Sequence, residues 1–194
     1  MERRDAIRYT AVFMGTSLSA STIAALISGC TVDDSVDWRP GFFTLQEVHF
    51  IRELGETILP KTTTPGAKEA LVDRYLDTIR PLRYTTEENK KFREELASMM
   101  QKANEDLGKD FGSVPVPKQL QWVQEVDKAS FDLVAEKPDM TWEEKPFYLK
   151  LKEQILGGYF SSEKVAKEYF AYDPVPGRYE SCIPYEDIGR AWAL

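Results

Sequence analysis

The fold class predicted by the sequence is all-α: a compact bundle of five or six amphipathic helices with an extended Pro/Gly-rich strap at its carboxyl-terminal end. Three observations predict it. Apolar residues recur at spacings of three and four through most of the chain, the period that gathers them on one side of a helix. A Thr followed three residues later by Glu opens three of these runs, at Thr44/Glu47, Thr85/Glu88 and Thr141/Glu144. At that spacing a hydroxyl and a carboxylate satisfy amides at a helix start. No stretch alternates apolar and polar residues in the manner of a half-buried strand.

The elements follow in order. After Phe42-Phe43, Val48, Ile51, Leu54 and Ile58 form one stripe, and Pro60 ends it. Lys61 to Gly66 reads as a loop, with Pro65 suited to the first turn of the next helix. Leu71, Val72, Tyr75, Leu76 and Ile79 face one way, and Pro81 is expected to close that helix. Phe92, Leu96, Met99, Met100, Ala103 and Leu107 make the cleanest stripe, with the Met pair read as core and Gly108 as the stop. Pro115 and Pro117 break the chain, and Leu120, Val123 and Val126 suggest a helix continuing to Val134. Lys137-Pro138-Asp139 interrupts again. Phe147, Leu151 and Ile155 follow Thr141/Glu144, Gly157-Gly158 is expected to stop that helix, and a short one runs from Ser162 to Phe170. A body of about 150 residues can bury about 68–70% of its unfolded surface, enough for an independent core.

Ahead of this body (42–194) lie an expected export signal (1–29) and an acidic tether (30–41). Arg3-Arg4-Asp5-Ala6-Ile7-Arg8 precedes an uncharged stretch, Tyr9 to Gly29, that ends in Leu26-Ile27-Ser28-Gly29-Cys30. Small residues before a cysteine resemble a bacterial lipoprotein box, which makes Cys30 the lipidation site and places the protein on the periplasmic face of a bacterial cell envelope. The competing reading is a retained membrane span; the stretch is long enough but diluted by Ser, Thr and Gly. Arg3 and Arg4 resemble the twin-arginine export motif, a route for folded proteins, or else form the positive region of a general secretory signal. With Cys30 lipidated, Cys182 is either a buried thiol or the partner of a cysteine in another chain.

Composition excludes several classes. One histidine (His49) and two cysteines leave few ligands for zinc, iron–sulfur or haem sites, and there is no Gly-rich phosphate loop. The net charge of −7 repels nucleic acid, so no nucleic-acid partner is expected. No catalytic, cofactor-binding or metal-ligating residues are assigned. A carboxylate pair for hydrolysis is conceivable, but the acids cluster on presumptive solvent faces such as Glu87-Glu88 and Glu94-Glu95.

The strap carries the strongest binding signal. Pro174 and Pro176 force Asp173 and Val175 towards extended conformations, and Gly177 frees the next φ, so Arg178 is presented between Tyr172 and Tyr179, with Cys182 beyond. Tyr and Arg are enriched in interface hot spots, and a pre-ordered strap loses little entropy on binding. Packing of the strap on its own helices, with Arg178 paired internally, is the alternative.

Phe42-Phe43-Thr44, Glu56-Thr57-Ile58-Leu59-Pro60 with Pro65-Gly66-Ala67, and Gly158-Tyr159-Phe160 through Pro176-Gly177-Arg178 resemble the gluconate 2-dehydrogenase subunit 3 family over about residues 42–184. The resemblance implies a non-catalytic accessory subunit of a membrane-associated sugar or sugar-acid dehydrogenase. FAD and the oxidation would belong to a large partner subunit, with a cytochrome c subunit as the candidate electron acceptor. The small chain would serve maturation and export of the large one, and the lipid-type cysteine departs from the simplest pattern of the family. A stand-alone envelope lipoprotein with a structural or ligand-binding role is the competing function.

Overall fold

The computed structural model describes residues 36–175, 177 and 182–193. The expected export signal, with Arg3, Arg4 and Cys30, therefore lies outside the described residues, as do Pro176, Arg178 and Tyr179 of the strap.

Among the described residues there are seven α-helices and no strand. They are α1 (Leu45–Ile58), α2 (Val72–Arg83), α3 (Thr86–Leu107), α4 (Val116–Glu136), α5 (Phe147–Phe160), α6 (Glu163–Glu168) and α7 (Tyr185–Ile188), with a 3-10 turn at Phe111–Ser113 between α3 and α4. None is long and apolar enough to cross a membrane. The fold is the expected all-α bundle.

Helix α1 is the hub, packed on α2, α4 and the 3-10 turn. Val48, Phe50, Ile51 and Leu54 are buried along it, as are Leu76 of α2, Leu96 of α3, and Leu151 and Ile155 of α5. An aromatic line runs from Phe50 to Phe111 (centroids 5.4 Å apart) and on to Trp122 (5.5 Å). A second joins Phe43, Phe92 and Phe147 at 6.1 and 5.0 Å. Both use tilted or edge contacts that suit the ring quadrupole. Buried polar groups link the helices: Gln119 of α4 donates to the Phe111 carbonyl at 2.8 Å and accepts from Thr57 Oγ1 at 3.2 Å.

Two of the three Thr/Glu pairs form capping boxes, at the starts of α1 and α3. In the first, Glu47 accepts from Thr44 N at 2.7 Å and also takes Arg93 of α3 in a two-point ion pair at 2.9 and 3.1 Å. The third pair behaves differently. Thr141 and Glu144 close a turn, and α5 starts only at Phe147, after Pro146. The expected end of the tether is also tied down. Asp77 of α2 accepts from the backbone amides of Gly41, Phe42 and Phe43 at 2.8–3.0 Å, and Trp38 Nε1 donates to Asp73 at 3.4 Å.

Several stops and starts fall elsewhere than the local signals put them. Helix α2 begins at Val72, not near Pro65, because residues 67–71 make their own turns. Leu71, expected in the core stripe, is exposed and left-handed (φ 56°). Pro81 does not close α2, which runs on to Arg83. Asn89 Nδ2 donates to the carbonyls of Arg80 and Tyr84 at 3.1 and 3.2 Å, which secures the extra turn. Pro117 sits inside the first turn of α4 instead of breaking the chain, a position where a missing N–H costs nothing. Met99 and Met100 are only half-buried, so they are not core residues. Gly157-Gly158 does not stop α5; neither has a positive φ, and the helix continues to Phe160.

Candidate partner-docking face

Gly158 explains how the carboxyl-terminal segment is placed. A Cβ there would lie 2.6 Å from Cδ1 of Tyr75, so glycine lets α5 close on α2. The next residue, Tyr159, is buried, and its hydroxyl donates to the Pro65 carbonyl at 2.7 Å, fixing the 61–66 loop against α5. Phe160 then points outward, 40% exposed, edge-on to Tyr159 at 5.2 Å and 5.9 Å from Phe170. Helix α6 is capped by Ser162, whose hydroxyl accepts from Val165 N, and is anchored by fully buried Val165. Tyr169 lies 5.1 Å from Phe170 and extends the row of rings.

Beyond Phe170 the chain leaves the bundle. Ala171 forms a parallel bridge with Trp192: Ala171 N donates to the Ala191 carbonyl at 2.8 Å, and Ala193 N to the Ala171 carbonyl at 2.9 Å. Asp173 Oδ1 accepts from Val175 N at 3.1 Å, so the first bend of the strap is made locally. Helix α7, absent from the sequence expectations, follows Pro184 and ends at Gly189, whose φ of 70° suits glycine.

The described members of the expected interface are all exposed: Tyr172, Asp173, Pro174, Gly177 and Cys182, the last a free thiol. A buried Cys182 is thereby corrected: the thiol is exposed. Sequence reasoning missed other candidates on this face. Val175 is 79% exposed and Tyr185 69%, and Phe160, Tyr169, Ile183 and Trp192 are also uncovered. Seven of the fifteen exposed large hydrophobic side chains among the described residues thus fall between Phe160 and Trp192. That concentration along the chain makes this segment the candidate interaction region. The signal for it was compositional: the aromatics from Phe160 onwards lose helical spacing and so have no common core side to face.

No group of three or more His, Cys, Asp or Glu among the described residues is placed to hold a metal ion. His49 Nε2 lies 3.7 Å from Asp110 and packs so closely on Gly112 that a Cβ there would collide with its ring. Packing of this kind suits a structural histidine better than a general base.

No curated protein and no solved structure matches the chain. A family model described as gluconate 2-dehydrogenase subunit 3 matches residues 45–177. That span runs from the first residue of α1 through the bundle and into the strap, well over half of the sequence. The chain belongs to the gluconate 2-dehydrogenase subunit 3 family.

Proposed function

We propose that this protein is a non-catalytic accessory subunit that docks on the large flavoprotein subunit of a sugar or sugar-acid dehydrogenase and supports its maturation, export and anchoring. The observation that carries the reading is membership of a family named for one subunit of such an enzyme, matched across the helical body. The aromatic face from Phe160 to Trp192 supports it by supplying amphipathic, rigid side chains of the kind that anchor interfaces. FAD and the oxidation reside in the partner, and a cytochrome c subunit receives the electrons. Arg3 and Arg4 direct export of the folded pair, and lipid on Cys30 holds it at the periplasmic face. Three acyl chains, at about 0.8 kcal/mol per buried CH₂, make such an anchor effectively permanent.

The physical logic is that a flavoprotein which folds around its cofactor in the cytoplasm must cross the membrane folded. A bound subunit with the appropriate signal can carry it. Gentle detergent extraction and pull-down of the native protein tests this. The expected result is a large chain with a flavin absorbance spectrum, identified by mass spectrometry; recovery of this chain alone and colourless contradicts the reading. Deleting residues 1–29 is expected to strand that flavoprotein in the cytoplasm, as followed by cell fractionation.

A further inference from the structure

The loop that joins α1 to α2 is exposed at its tip, residues 60–63, yet contacts from several elements set its course. The Glu56 carboxylate fills its mouth, accepting from the backbone amides of Lys61 at 3.0 Å and Lys68 at 2.9 Å. Gly66 makes room for that carboxylate, since a Cβ there would lie 2.6 Å from Oε2. Across the tip, Thr62 N donates to the Thr64 carbonyl at 3.1 Å and Thr64 N to Thr62 Oγ1 at 3.3 Å. The buried Tyr159 hydroxyl of α5 holds the Pro65 carbonyl. Lys61 Nζ lies 2.9 Å from Glu69, and Lys164 of α6 reaches the same carboxylate oxygen at 3.4 Å.

The charged groups around the loop are taken up locally: Lys61 and Lys164 by Glu69, Lys68 by Glu53, and Glu56 by backbone amides. Thr63 stands at the tip with neither its amide nor its hydroxyl bonded to another described residue. The tip therefore presents a pair of uncharged donors in an ordered setting. Tyr159 and Lys164 tie the loop to α5 and α6, the elements that carry Phe160 and lead into the aromatic row. Binding residues are commonly placed on loops held by a rigid scaffold, and a loop ordered beforehand loses little entropy when a partner covers it.

We propose that residues 61–63 form a second docking element for the flavoprotein subunit, adjoining Phe160, with Glu56 and Tyr159 as its positioning residues. Phe160 and the rings beyond it supply apolar burial. The Thr63 amide and hydroxyl meet an uncharged acceptor on the partner, a backbone carbonyl or a side-chain amide, which fixes the register. This inference rests on the accessory-subunit reading and adds to it a surface outside the carboxyl-terminal segment.

The test is the detergent pull-down of the full chain, quantified by flavin absorbance, with urea unfolding of each variant. Thr63→Arg places bulk on the tip without removing any of the loop's own contacts. Its unfolding midpoint should match the native protein while flavoprotein recovery falls at least about tenfold. Gln124→Arg, at an exposed position of α4, is the control and should recover flavoprotein normally. Glu56→Ala should speed amide hydrogen exchange across residues 61–68 and lower recovery. Glu56→Gln, which keeps one acceptor oxygen, should restore part of both. Recovery in Thr63→Arg within about twofold of native overturns the proposal and leaves the accessory reading intact. Equal loss in Gln124→Arg, or faster exchange in Glu56→Ala with recovery unchanged, overturns it as well. Native protein recovered without flavin removes the accessory reading and this inference with it.

Discussion

The Asp77 carboxylate gathers three consecutive backbone amides, those of Gly41, Phe42 and Phe43, at a site where it is itself 6% exposed. Buried N–H groups that lose their acceptor cost far more than a typical hydrogen bond contributes. Asp77→Ala is therefore expected to destabilise the body by about 2–4 kcal/mol, and Asp77→Asn by less, since the amide keeps one acceptor oxygen. Urea unfolding followed by circular dichroism measures both. Nothing local in the sequence announces this role, because donor and acceptor are more than thirty residues apart. Arg80 was equally illegible: its helical spacing is unremarkable, and only the approach of Tyr84, Phe92 and Gln154 shows that it is interior.

At the level of helices, what could be read from the chain was what neighbouring residues decide among themselves. The boxes at Thr44/Glu47 and Thr85/Glu88 and the left-handed Gly108 need only a few adjacent positions, and they stand where expected. Pro81 and Gly157-Gly158 carry equally strong local signals, but groups outside those signals override them, whereas Thr141/Glu144 closes a turn ahead of Pro146. Asn89 secures the turn beyond Pro81, and the Tyr75 ring gives Gly158 a packing role instead of a terminating one. Gly158→Ala is accordingly expected to prise α5 from α2 at about 1–3 kcal/mol, visible as a lowered unfolding midpoint with helicity retained. The α3 capping box has a pH signature. Hydrogen bonds from the Thr85 amide and hydroxyl hold the Glu88 carboxyl below its ordinary 4.5. Its contribution is complete above that value and is lost as pH falls through the lowered one. The stability gap between the native protein and Glu88→Ala should stay nearly constant between about pH 7 and 5, where Glu88 is largely ionised in the folded and the unfolded chain alike, and close under stronger acid.

For the molecule as a whole, the division of labour is between a bundle built round a buried core and a terminal segment whose large apolar side chains are mostly exposed. Tyr172 and Trp192 are each about half exposed, so replacing both with Ser should change folding stability by less than about 0.5 kcal/mol per site. The same double variant is expected to lose retention of the flavoprotein in pull-down, separating an interface role from a structural one. The strap's composition was legible because Pro and Gly act locally; the wider face, with Val175, Ile183 and Tyr185, was not, because exposure is decided by what the rest of the chain leaves uncovered. The bridge between Ala171 and Trp192 has a practical corollary for anyone handling this protein. The two hydrogen bonds there tie Ala171 to Ala191 and Ala193, so the last described residues are fastened back beside the end of the helical body and do not trail from it. Trimming the chain before Ala191 would remove both backbone partners of Ala171, so a shortened version of this protein is best cut elsewhere.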